Sequence, residues 1–160
     1  MRCLLVDDEP LARDRLRALL EESGAEVEIV AEAGGGKEAV SLIHEHDPQV
    51  VFLDVQMPVL GGFDVVDLLP EARPHIVFVT AYDEYAIEAF EVHALDYLTK
   101  PVRLERLEKT LDRVREAAGA QGGAEGEETS AGPGAGEQDV GKQGAGDQDG
   151  DERAAGGESA

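Results

Sequence analysis

Apolar residues in the first 116 positions recur with two periods. Short runs rich in β-branched residues or leucine lie at 2–6 (RCLLV), 27–33 (VEIVAEA), 50–53 (VVFL), 76–80 (IVFVT) and 96–99 (DYLT). Each reads as a strand. Between them the period lengthens to that of a helix. Pro10 opens the first helical stretch, Ala12, Leu16, Leu19 and Leu20 share one face, and Gly24 closes it. Ala39, Val40 and Ile43 mark the second, stopped by Asp47-Pro48. Phe63, Val66 and Leu69 mark a short third, and Ala86, Ile87 and Phe90 a fourth. Leu104, Leu107, Leu111 and Val114 give the last one a clear apolar stripe.

Five such repeats predict an α/β fold, a doubly wound five-stranded parallel sheet with helices on both faces. The runs at 2–6, 50–53 and 76–80 are almost wholly apolar, as strands covered on both sides require. The run at 27–33 alternates and the one at 96–99 is short, so both suit edges. Right-handed crossovers then favour the flavodoxin-like strand order 2-1-3-4-5. A ligand belongs beyond the carboxyl ends of the strands, where the first and third part.

The pattern stops near residue 117. Residues 117–160 hold 13 of the 19 glycines, and Val140 is their one branched apolar side chain. Such a segment cannot bury enough surface to offset its ordering entropy. The expected organisation is a domain at 1–116 and a disordered, low-complexity acidic tail at 117–160.

Charge narrows the function. With 35 acidic and 14 basic residues the formal net charge is −21, which argues against direct contact with nucleic acid or anionic membranes. The best basic patch, RDRLRALL at 13–20, also reads as an ordinary amphipathic helix. No stretch approaches a membrane span, and the N-terminus lacks a signal-peptide pattern. The single cysteine, Cys3, excludes an internal disulfide. These features fit a cytoplasmic protein.

The strand ends carry the candidate chemistry. The first ends in Asp7-Asp8, the third in Asp54, the fourth in Thr80-Ala81 and the fifth in Thr99-Lys100-Pro101. A lone Asp after a strand is usually a turn residue or helix cap. Turn chemistry does not, however, require four ends to carry complementary groups. Two carboxylates about 5 Å apart repel by roughly 3 kcal/mol at an effective dielectric near 20. A hard divalent cation relieves that repulsion, and oxygen ligands beside a phosphate suit Mg²⁺. Asp54 is then best placed as ligand and nucleophile, Asp8 as a second direct ligand, and Asp7 as a ligand through water. Lys100 would neutralise a phosphoryl oxygen, and the small Ala81 leaves room for that group.

The stretches LLVDDEP, VFLDVQMP and VFVTAYDEYAIEAFEVHALDYLTKPV, in this order and spacing, resemble the receiver domain of bacterial two-component response regulators over about residues 1–116. They are most similar to receivers joined to a LytTR-type DNA-binding domain. The resemblance implies that Asp54 is the phosphoacceptor. It implies that Asp7 and Asp8 hold Mg²⁺ with the backbone carbonyl of Gln56. Thr80 matches the switch hydroxyl, Tyr97 the switch aromatic, and Lys100 the phosphoryl-binding lysine, with a cis Lys100-Pro101 bond. Gln56 and Tyr82 match positions that tune loss of the phosphoryl group to water. The implied donor is a histidine kinase. The implied response is an inward move of Thr80 and Tyr97. It reshapes the face of the fourth helix, fifth strand and fifth helix, through which a homodimer would form.

Rival readings fit less well. A haloacid-dehalogenase-like phosphatase wants a second acid two residues after the nucleophile, where Gln56 stands. A flavin-binding flavodoxin-like module needs a Ser/Thr-rich phosphate loop after the first strand, and DDEP would repel phosphate without a metal. GGGKE at 34–38 lacks the full phosphate-loop frame. His44 and His46, two apart on a helix, do not share a face. His75 and His93 read as strand-start or loop residues. The expected output is a receiver without its own DNA-binding module, acting through dimerisation, a partner or as a phosphoryl sink. A truncated LytTR-type transcription regulator is the alternative.

Overall fold

In the computed structural model, which describes residues 1–123, β1 (Arg2–Val6), β2 (Glu28–Ala33), β3 (Val50–Leu53), β4 (His75–Thr80) and β5 (Asp96–Thr99) alternate with five helices. The helices are α1 (Pro10–Glu22), α2 (Gly36–His46), α3 (Gly62–Leu68), α4 (Ala86–Glu91) and α5 (Leu104–Gly123). The strands form one parallel sheet in the order β2-β1-β3-β4-β5. The expected topology and both edge assignments hold.

The two-sided burial of the central strands explains their continuous apolar runs. Leu4, Val6, Val51, Leu53, Ile76 and Phe78 face one core, shared with Ala39 and Ile43 of α2 and Val65 and Val66 of α3. Cys3, Leu5, Val50, Phe52, Val77 and Val79 face the other, shared with Leu16 and Leu20 of α1 and Leu107, Leu111 and Val114 of α5. Successive residues of one strand thus enter opposite cores. Burial pushes the Cys3 thiol up to about 12, so it serves as a packed apolar group.

Two details differ from the sequence pattern. Ala89 is the buried residue of α4, whereas Ile87 and Phe90 are 73% and 82% exposed. A helix of six residues has too little length for apolar spacing to decide its buried face. Second, α5 runs to Gly123, past the break in composition at 117. Its extension, AAGAQGG, holds three alanines, the strongest helix former, which favour it, and three glycines, which oppose it. The remainder of the tail expected at 117–160 lies outside the described residues.

Candidate functional site

Sheet register brings the acids together. Val6 pairs with Leu53, so Asp7 and Asp54 leave their strands at one level. The Asp54 N–H donates to the Val6 carbonyl at 3.0 Å, and the Asp7 N–H to the Ala33 carbonyl at 3.1 Å. Each backbone is therefore held by the strand beside it. At the other side Thr80 pairs with Thr99, and the Lys100 N–H donates to the Thr80 carbonyl at 2.7 Å. The Lys100–Pro101 peptide is cis.

Two glycines fix Asp54 and the loop that follows it. A Cβ on Gly62 would lie 2.4 Å from the Asp54 carbonyl oxygen, and one on Gly36 would lie 2.5 Å from that of Leu60. No larger residue fits without moving these backbones. The α3 N-terminus can therefore press directly on the residue that carries the acid, and α2 on the loop that follows it. Gly36 gives the GGGKE stretch a packing role.

Carboxylate oxygens of Asp7, Asp8 and Asp54 lie within 4.8 Å of one another, with Asp7 and Asp54 buried and Asp8 exposed. Lys100 Nζ donates to Asp7 Oδ2 at 2.7 Å and to Asp54 Oδ2 at 3.4 Å, and stands 3.9 Å from Glu9. Burial pushes the Asp54 carboxyl up, and Asp7 adds to the rise, while Lys100 and the Gln56 N–H oppose it. Burial alone would lower Lys100, but its bonds to Asp7 and Asp54 prevail and hold it above the usual lysine range. One ammonium thus serves three carboxylates. The surplus of hard oxygen donors fits a divalent cation, with Asp7, Asp8 and Asp54 as the residues able to hold it.

The other sequence-derived candidates surround this group. Thr80 is wholly buried, and its Oγ1 accepts from the Tyr82 N–H at 3.4 Å. Gln56 lies two residues after Asp54 and directs its N–H at Asp54 Oδ1 over 3.4 Å. Its side-chain Nε2 donates to the hydroxyl of Tyr85 at 2.5 Å. The Tyr97 hydroxyl donates to the Tyr82 carbonyl. Hydrogen bonds thus join Thr80, Tyr82 and Tyr97, and Gln56 is linked to them through Tyr85, whose ring meets that of Tyr82 edge-on.

Three parts of the surroundings escaped the sequence. Arg13 Nη1 donates to the Asp7 carbonyl at 2.5 Å, a contact that needs the first helical turn folded back on β1. Tyr85 lay unremarked in an acidic loop. The buried Asp96 is met by Arg106, the buried Thr110 and the exposed Arg113 of α5. The spacing of Arg106 and Thr110, four apart on one helical face, was its one visible signal.

Residues 3–112 match the family model of the response regulator receiver domain. The chain belongs to this family. This receiver is 52% identical over 122 residues to the transcriptional regulatory protein BtsR of Escherichia coli, across 76% of this chain and 51% of that protein. It is 54% identical over 115 residues to an uncharacterized response regulatory protein of Yersinia pestis, across 71% and 48% of the two. The chain spans about half the length of these curated relatives. Among solved structures, the response regulatory domain of MrkE from Klebsiella pneumoniae is similar, with 32% identity and a TM-score of 0.68. That match covers 73% of this chain and 97% of the other. Receiver domains are phosphoacceptor switches rather than classical enzymes, which sets this chain apart from haloacid-dehalogenase-like phosphatases. The matches do not single out LytTR-type receivers. Among the described residues, no helix is long and apolar enough to cross a membrane.

Proposed function

We propose that this receiver takes a phosphoryl group from a histidine kinase onto Asp54, in a site that holds Mg²⁺ through Asp7, Asp8, Asp54 and the Gln56 carbonyl. The observation that carries the reading is the placement of Asp54. It is buried at the end of β3, and its oxygens lie close to those of two other acids and to the Lys100 ammonium. An Asp54 oxygen attacks phosphorus in line as the bond to the histidine nitrogen breaks. Lys100 neutralises charge on the transferring oxygens. The bound cation supplies further charge neutralisation there. The product adds roughly −1.5 to −2 charge if it resembles other protein phosphates. Thr80 then offers its hydroxyl to the new group and Tyr97 follows it inward, a shift between two states biased by local charge. Gln56 and Tyr82 tune how fast the group is lost.

The domain assignment at 1–116, with a disordered tail after it, and the cytoplasmic location belong to the same proposal. For output, the α4–β5–α5 face is the proposed switch surface and homodimer interface, where Ile87 and Phe90 stand exposed. Control of a partner protein is the first reading. A LytTR-type transcription regulator is the second, favoured by the 52% identity to a protein named as a transcriptional regulator. Direct nucleic-acid binding by these 160 residues is not proposed, given the net charge of −21.

Intact mass after incubation with a small acyl-phosphate donor tests the reaction. One added phosphoryl group is expected with Mg²⁺, and none with a chelator or in Asp54→Asn. Uptake that persists in Asp54→Asn would overturn the assignment.

A further inference from the structure

Tyr85 has no part in the chemistry described so far, yet it bonds to a residue that has one. Its hydroxyl accepts the Gln56 Nε2–H at 2.5 Å. Gln56 lies two positions after Asp54, and its N–H faces the acceptor carboxylate. Its side chain thus starts beside the acceptor and ends on the segment that joins β4 to α4. The Tyr85 ring is anchored independently. Its centroid lies 6.2 Å from that of Phe63 in α3, which itself sits 4.8 Å from Phe78 of β4. Tyr82 meets Tyr85 edge-on at 6.2 Å, and Tyr97 bonds to the Tyr82 carbonyl. A free glutamine at an exposed position would sample several rotamers. This one is held by a tyrosine whose ring is fixed by two aromatic neighbours.

We propose that Tyr85 is a positioning residue that sets the lifetime of the phosphorylated receiver by holding the Gln56 amide across the mouth of the acceptor pocket. The inference rests on phosphorylation of Asp54. In the reaction it restrains, water attacks phosphorus and the bond to the Asp54 oxygen breaks. The aspartate carboxylate is restored, and inorganic phosphate leaves with the protons of the water. A tethered Gln56 side chain narrows the path of that water. Without the Tyr85 hydroxyl the amide swings free and the path opens. The same bond ties the acceptor loop to the segment carrying Tyr82, so the lifetime and the Thr80–Tyr97 movement are coupled through one side chain.

The test is a double-mutant cycle read as decay of phosphorylated protein, after donor removal, by intact mass. Tyr85→Phe keeps the ring packing and deletes only the hydroxyl. It should shorten the half-life by about three- to tenfold, the loss of one hydrogen bond expressed as a rate. Its thermal midpoint and its uptake of one phosphoryl group should match wild type. Gln56→Ala should shorten the half-life similarly, and the double variant should decay no faster than Gln56→Ala alone. A Tyr85→Phe half-life equal to wild type overturns the inference. So does a shortening of equal factor with and without Gln56, which would mean that Tyr85 acts by another route. Either result leaves phosphorylation at Asp54 standing, whereas a wild-type chain that takes up no phosphoryl group removes both.

Discussion

Asp54 and Asp96 are almost equally buried, with 6% and 7% of their surface exposed, yet their surroundings drive them in opposite directions. Asp96 accepts from Arg106 at 2.9 and 2.7 Å, from the Thr110 hydroxyl at 2.6 Å and from the Tyr97 N–H at 2.8 Å. Arg113 stands 3.1 Å away. Burial would raise its pKa, but these partners prevail and hold it below the ordinary carboxylate range. Asp54 has a Lys100 ammonium at 3.4 Å, an N–H at 3.4 Å and two other carboxylates close by. There burial prevails and the carboxyl is raised. A carboxylate with every lone pair engaged is a fastener. One left short of partners keeps an oxygen available to an electrophile. The same residue type, at the same depth, is fully partnered at the start of β5 and short of partners at the end of β3, as the proposed phosphoacceptor should be.

The sharpest way to break this contrast is to cut the charge pairing at each aspartate from one side. Lys100→Ala should slow phosphorylation by about 10²–10³-fold, the cost of losing a preorganised charge at a phosphoryl-transfer site. With Mg²⁺ present to take over the neutralisation of the acids, its folding stability should change less than that of an Asp96 variant. Initial rates with an acyl-phosphate donor at saturating Mg²⁺ measure the first effect and urea unfolding the second. Asp96→Ala should do the reverse. It should cost about 2–3 kcal/mol of stability, as the charge-assisted hydrogen bonds that Arg106, Thr110 and the Tyr97 N–H make to the buried carboxylate are lost. Its phosphorylation rate should stay near wild type once the protein is folded. If Lys100→Ala proved the less stable and Asp96→Ala the slower, the division of roles would be wrong.

The legibility of the two sites differs for a physical reason. Asp7, Asp54 and Lys100 follow strands and Thr80 ends one, and parallel topology puts the carboxyl ends of all strands on one rim. Apolar periodicity was therefore enough to bring them together before any coordinates. Asp96 begins β5, and its partners lie 10, 14 and 17 residues on in α5. Their meeting depends on how α5 rotates about its axis, which an apolar stripe sets only to within a side chain. Tyr85 was hidden for a similar reason, since it belongs to a segment with neither strand nor helix period. The Gly62 contact with Asp54 was invisible because a missing Cβ leaves the same trace in sequence whether it relieves a turn or a close approach. The reversed face of α4 shows where periodicity fails, in an element too short to hold a stripe.

The smallest expected effect separates the two acids by pH. In unfolded chain an Asp titrates near about 3.9. Asp96 is depressed in the fold, so its contribution is present above that value and is lost as pH falls through the lower folded value. Asp54 is raised, so its ionised form is a burden at neutral pH. As pH falls through its raised folded value the native state binds a proton that the unfolded state does not, and stability rises. The gain stops near about 3.9, where both states are protonated. The two windows therefore lie on opposite sides of the unfolded value, with opposite slopes. Unfolding free energies should be measured in urea across this range, with a chelator present so that no cation masks Asp54. The difference between wild type and Asp54→Asn should then shrink on acidification from neutrality. The difference between wild type and Asp96→Asn should hold steady there and collapse only at lower pH. Two difference curves that bend in the same window would mean that depth of burial, and not the supply of partners, sets how these aspartates behave.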